Sequence, residues 1–272
     1  MRGKFTPFIV LFFLFSSVLV HAKQVVRFSP LPVKPKEELI ASYLPLLNLL
    51  ERKLGAKFEI VYIGDYNQLI ESFISGRTDL VVFGPLPYHI ARKRYPNAHP
   101  VVFFREPDGT TSYSCILLTL KSGPKNLREL KGPVATPQRL STCGPFSLSL
   151  LLSKEKKDIN KIGYQPFETH REAFEAMLRG DYQAVILKKS VAESYMKGFP
   201  LHIIAESPQW PAFLLVANSK TLKKGFIESL RSVLLSLSSE ELKGLAEGKH
   251  GFAPVKEDEL EVIRRYETHI PN

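Results

Sequence analysis

The stretch Ser141-Thr142-Cys143-Gly144-Pro145 gathers residue types suited to holding an anion. Two hydroxyls, a thiol, a glycine and a proline precede the apolar run Phe146 to Leu152, which reads as a helix. Proline suits a first helical turn, where its missing N–H costs nothing. Backbone N–H groups there have no partners within the helix and carry the positive end of its dipole. With the Ser141 and Thr142 hydroxyls beside them they would cradle a phosphate-like anion without a charged side chain. Taken locally, the simpler reading is an ordinary N-cap, so the rest of the chain must decide.

Signals for catalysis are missing. There is no Gly-x-Ser-x-Gly elbow, no His-Glu-x-x-His and no phosphate loop of the nucleotide type. The seven histidines are scattered, and no pair has metal-ligand spacing. The expectation is a protein that is not an enzyme, with no metal and no cofactor.

Residues 1–22 differ from the rest. Arg2 and Lys4 precede the apolar run Phe8 to Val20, and Val20-His21-Ala22 offers a cleavage position. This is a signal-peptide pattern, too short for a membrane span, and cleavage is expected after Ala22. Lys23 follows, not Cys, so no lipid attachment site is expected there. The mature chain is expected in the periplasm or outside the cell. Of 37 basic residues the signal removes two, leaving 35 against 27 acidic ones and a charge of +8 in place of +10. Export and the even spread of the basic residues argue against nucleic acid, leaving a solvated basic surface and a small anionic ligand.

The elements that must position the motif are two rounds of α/β alternation. Val25 to Phe28, Phe58 to Ile63 and Thr78 to Phe83 read as strands, with a helix over Lys36 to Leu54 closed by Gly55. Asp65 to Gln68 is a capping-box pattern opening a second helix, and Tyr88 to Tyr95 a third. Val101 to Phe104 and Tyr113 to Leu120 are strands separated by the turn Pro107-Asp108-Gly109. The pattern restarts with a strand at Val134-Ala135, the anion motif, and a strand over Ile162 to Phe167. Thr169 to Glu172 is a second capping box, leading a helix to Arg179. Strands follow at Tyr182 to Leu187, Leu201 to Ala205 and Phe213 to Ala217, and after Asn218 the chain reads as helical to its end. Two α/β units joined by short connections predict two hinged lobes with a cleft as the ligand site. The boundaries read as 23–120 plus 216–272 for the first lobe and 121–215 for the second, which carries the motif.

With those pieces in order, the mature chain resembles the phosphate, phosphite and phosphonate family of periplasmic solute-binding proteins. The resemblance rests on Asp65-Tyr66, Gly76-Arg77-Thr78-Asp79, Gly84-Pro85, Gly109 to Tyr113, Leu127 to Gly132, Ser141 to Gly144, and His170 on a helix ending Arg179-Gly180-Asp181. It implies a type II binding-protein fold, two lobes joined by a hinge of two crossing strands and closing on a ligand for an ABC transporter. It implies that Ser141, Thr142, Cys143 and Gly144 hold the oxyanion, with Tyr113 and His170 adding hydrogen bonds and Tyr66 and Pro85 nearby. The partners implied are a small anion and a transporter permease, with the protein acting as a monomer.

The departures bear on the ligand. Family members that take aminoalkylphosphonates hold the ammonium with acidic residues, one just after the strand that follows the histidine helix and one near the return crossing. Here those regions read Lys188-Lys189-Ser190 and Trp210-Pro211-Ala212-Phe213, with Glu206 the nearest acid. An anion without an amino group is expected. Cys143 replaces the usual second serine, and Cys115, two residues after Tyr113, projects on the same strand face. A disulfide between them, a pair of buried thiols, and a thiol site for a soft ligand all remain open. The last would make the protein an arsenite sensor partnering a sensor kinase, as some members of the family do.

Overall fold

A computed structural model describes residues 23–270, so the proposed signal peptide lies outside the described residues. The strands, in chain order, are β1 (Val25–Ser29), β2 (Lys57–Ile60), β3 (Leu80–Phe83), β4 (Ala98–Phe104), β5 (Ser112–Tyr113), β6 (Cys115–Leu120), β7 (Val134–Thr136), β8 (Tyr164–Pro166), β9 (Ala184–Lys188), β10 (Leu201–Glu206), β11 (Trp210–Pro211), β12 (Leu214–Asn218) and β13 (Phe252–Ala253). The helices are α1 (Lys36–Leu54), α2 (Tyr66–Ile74), α3 (Pro85–Arg94), α4 (Ser147–Ser153), α5 (Ile159–Ile162), α6 (His170–Leu178), α7 (Lys189–Met196), α8 (Lys224–Leu235), α9 (Ser239–Lys243) and α10 (Glu257–Leu260), with a final 3₁₀ segment over Ile263–His269.

Eleven of these strands form two sheets. The first has six strands in the order β13-β4-β12-β3-β1-β2, and the second five in the order β10-β6-β9-β7-β8. In the first, β1 runs parallel to β2 and β3, while β12 returns antiparallel between β3 and β4. In the second, β7 runs parallel to β8 and β9, and β6 is antiparallel to both β9 and β10. The chain crosses between the sheets at β5 and β11, which pair antiparallel with each other. This places the crossing earlier than the sequence boundary at residue 120. Strand β6 belongs to the second sheet because it hydrogen-bonds β9 and β10, and Leu214 and Leu215 already pair within the first.

Local signals explain most ends. Gly55 takes the left-handed conformation (φ 64°) that closes α1. The Asp65 carboxylate accepts from the Gln68 N–H at 2.9 Å, and Thr169 and Ser238 form complete capping boxes. The Gly76-Arg77-Thr78-Asp79 motif is structural. Buried Asp79 accepts from Arg27 Nη2 at 2.6 Å and Nε at 2.8 Å, which ties β1 to the start of β3. The chain after Asn218 is not wholly helical, because Phe252 and Ala253 pair with Phe104 and Phe103 as the edge strand β13.

The final 3₁₀ segment packs against both halves. Ile263 is fully buried beside Leu86 and Trp210, and Tyr266 meets the Trp210 ring edge-on at 5.3 Å. Glu267 accepts from His89 of α3 at 2.6 Å. Among the described residues no helix is long and apolar enough to cross a membrane.

Candidate functional site

The anion motif folds as a wide turn, Thr142–Phe146, that runs into α4. Gly144 is there for space: a Cβ on it would lie 2.8 Å from the Gln138 carbonyl oxygen. Beneath the turn the buried Trp210 Nε1–H donates to Ser147 Oγ at 3.1 Å, and Ser147 Oγ donates to the Thr142 carbonyl at 2.5 Å. Cys143 is bonded to Cys115 in a disulfide, which links the turn to the start of β6. The described residues therefore hold no free thiol, and a soft-ligand site has no nucleophile to use.

Facing residues close a small cavity over this turn. Leu31, Tyr66, Gly84, Pro87 and Phe213 come from the first-sheet side. Tyr113, Ser141, Thr142, Cys143, His170 and Lys188 come from the hinge and the second lobe. Its volume is about 10 Å³, room for about one water molecule. A larger chamber of about 410 Å³ adjoins it and shares Leu31, His170, Lys188 and Phe213 as walls.

Tyr66, Tyr113, Ser141, Thr142, Cys143 and His170 thus meet at one place. Pro85 and Gly144 do not line it. Pro85 is spent as the first residue of α3, which leaves Gly84 and Pro87 at the wall, and Gly144 acts by letting the turn approach Gln138.

Tyr66 is buried with its hydroxyl facing Ser141, and burial raises its pKa. Tyr113 is buried with its hydroxyl facing Thr142, and burial raises its pKa too. Both therefore stay protonated donors. The Leu86 N–H of α3 donates across the cleft to Thr142 Oγ1 at 3.1 Å. Burial first, and then the Lys188 charge, push the His170 imidazole down to about 4, while its hydrogen bond to the Val33 backbone opposes this. His170 is therefore neutral near pH 7.

Lys188 and Lys189 part company. Lys188 turns inward, its side chain 14 % exposed, and pairs with the buried Glu106 at 2.6 Å. Lys189 turns to the outer surface and pairs with Glu206 at 3.1 Å, so Glu206 does not reach the cavity. Sequence reading missed Glu106, which lies 82 residues from its partner.

This geometry, two α/β lobes joined by crossing strands around a buried polar cavity, defines a type II periplasmic binding protein. Residues 28–260 match the family described as ABC transporter, phosphonate, periplasmic substrate-binding protein, and the chain belongs to that family. The phosphate-import protein PhnD of Mycolicibacterium smegmatis is 37 % identical over 68 residues, a stretch covering 25 % of this chain and 21 % of that relative. The fold is similar to that of PhnD1 from Prochlorococcus marinus in complex with methylphosphonate (TM-score 0.78, 19 % identity, 90 % of this chain and 97 % of that one). It is also similar to a binding protein component of an ABC phosphonate transporter from Pseudomonas aeruginosa (TM-score 0.80, 18 % identity, 90 % of this chain and 86 % of that one). The family is a substrate-binding component of transporters and works in the periplasm.

Proposed function

We propose that this protein captures a small oxyanion of the phosphonate, phosphite or phosphate type and delivers it to the permease of an ABC transporter. The observation that carries this reading is the convergence of Ser141, Thr142, Tyr66, Tyr113, His170 and Lys188 on one cavity between the lobes, whose volume of about 10 Å³ must widen as the lobes part for an oxyanion to enter. Hydroxyls and one ammonium are donors to an anion, while the single N–H of the neutral His170 ring is held by the Val33 backbone, and lobe closure strips the anion's water. The mature protein works as a monomer released by cleavage after Ala22, which intact mass of the exported protein would check.

Calorimetry and thermal melts against phosphate, phosphite, methylphosphonate and sulfate test the reading. At least one phosphorus oxyanion should raise the melting temperature through linkage. Ser141→Ala and Thr142→Val should each weaken it by about tenfold, the worth of one charge-assisted hydrogen bond. No response to any of the oxyanions would overturn the reading.

A further inference from the structure

Lys188 ends β9 with its ammonium enclosed on three sides. Glu106 Oε1 lies 2.6 Å away, and the ring centroids of Tyr113 and Phe213 each lie 4.5 Å away. Glu106 is itself desolvated, its side chain 9 % exposed. It follows β4, whereas Lys188 belongs to the second sheet, so closure of the lobes assembles the enclosure. Two aromatic faces and a buried carboxylate around one ammonium are the means by which an alkylammonium ion is recognised. An ordinary interlobe ion pair has no need of the two rings, nor of a place on the wall of the anion cavity.

We propose that Glu106, Tyr113 and Phe213 form an alkylammonium subsite that this chain fills with its own Lys188, so that the cation beside the anion is tethered to the protein. The choice of ligand that follows rests on the oxyanion reading above; the subsite itself does not. A ligand bearing an ammonium finds its place taken and meets a like charge. A ligand without one meets no such repulsion, and its oxyanion faces the Lys188 side of the Lys188–Glu106 pair.

Two substitutions separate charge from space. Lys188→Ala vacates the subsite, and Lys188→Met refills it without charge. In thermal melts at matched ionic strength, ethylammonium chloride should stabilise Lys188→Ala above sodium chloride. It should leave the wild type, Lys188→Met and the double variant Lys188→Ala with Glu106→Gln unmoved. By calorimetry the wild type should prefer methylphosphonate to 2-aminoethylphosphonate by about tenfold or more, and Lys188→Ala should reverse that order.

If Lys188→Ala keeps the wild-type circular dichroism and gives no ethylammonium response, the subsite is overturned. If it keeps the wild-type ligand order, the role of Lys188 in selection is overturned. Should the wild type bind no oxyanion, the oxyanion reading fails, and the ethylammonium melt still decides the subsite.

Discussion

Buried beside an ammonium, His170 refuses a proton that the unfolded chain accepts. Its pKa is about 4 in the fold against 6.5 in water, burial being the larger cause and Lys188 the smaller. A base whose folded pKa is depressed contributes nothing to pH dependence above the unfolded value, and costs stability as pH falls below it. Urea unfolding at pH 5 should therefore give about 2 kcal/mol less stability from this residue than at pH 7. His170→Gln should flatten that slope, and an unchanged slope would remove His170 from the account. The disulfide acts at the same scale. Replacing Cys115 and Cys143 together by serine opens a loop with a sequence separation of 28 and should cost about 3.5 kcal/mol. The same variant should keep the oxyanion order of the wild type, measured by calorimetry, because the hydroxyl donors remain.

Among the elements, the turn before α4 is the one least tolerant of change. Gly144→Ala would push a methyl to 2.8 Å from the Gln138 carbonyl. Gln138 in turn accepts from the Tyr66 N–H at 3.1 Å and donates to the Gly64 carbonyl at 2.8 Å, so the displacement reaches the opposite lobe. A loss of about 2 kcal/mol is expected in urea unfolding, with weaker anion binding alongside. Asp79→Ala, outside the cavity lining, should cost about 2 kcal/mol by removing the acceptor of the Arg27 backbone N–H together with the partner of its part-exposed guanidinium, and leave ligand affinity unchanged. The contrast shows what was legible beforehand. Caps at Asp65 and Thr169 and the glycine after α1 are local chemistry, and they set helix ends where the sequence puts them. Of the residues meeting at the cavity, Tyr66, Tyr113, Ser141, Thr142, Cys143 and His170 were legible through their order along the chain, whereas Leu31, Pro87 and Phe213 are ordinary apolar residues that only the folded lobes bring there. Strand β13 is two residues long, below any periodicity, and the Lys188–Glu106 pair exists only because two lobes bring distant residues together.

For the molecule as a whole, the contacts across the cleft describe a closed arrangement. Thr142 meets Leu86, Gln138 meets Gly64 and Tyr66, Lys188 meets Glu106, and Arg171 meets Glu38 at 3.3 Å at the rim. Most are single hydrogen bonds or exposed pairs, worth about 1 kcal/mol or less each, so closure is held jointly and a ligand need add little to fix it. Small-angle scattering should show a smaller radius of gyration with a bound phosphorus oxyanion than without. The difference should widen in Arg171→Glu, which opposes rim closure by placing like charges together.

The segment Ile263–His269 gives the lobes a third tether besides β5 and β11. It touches α3 through Glu267 and reaches the second lobe's core through Ile263 and Tyr266. Two strands alone allow both bending and twisting; a third support off their line leaves mainly one path. The likeness is to a door with a guide rail, and what a rail governs is pace. A chain ending at Val262 should still bind, yet exchange its ligand several-fold faster in stopped-flow displacement, so residence time would be set by a segment that touches no ligand.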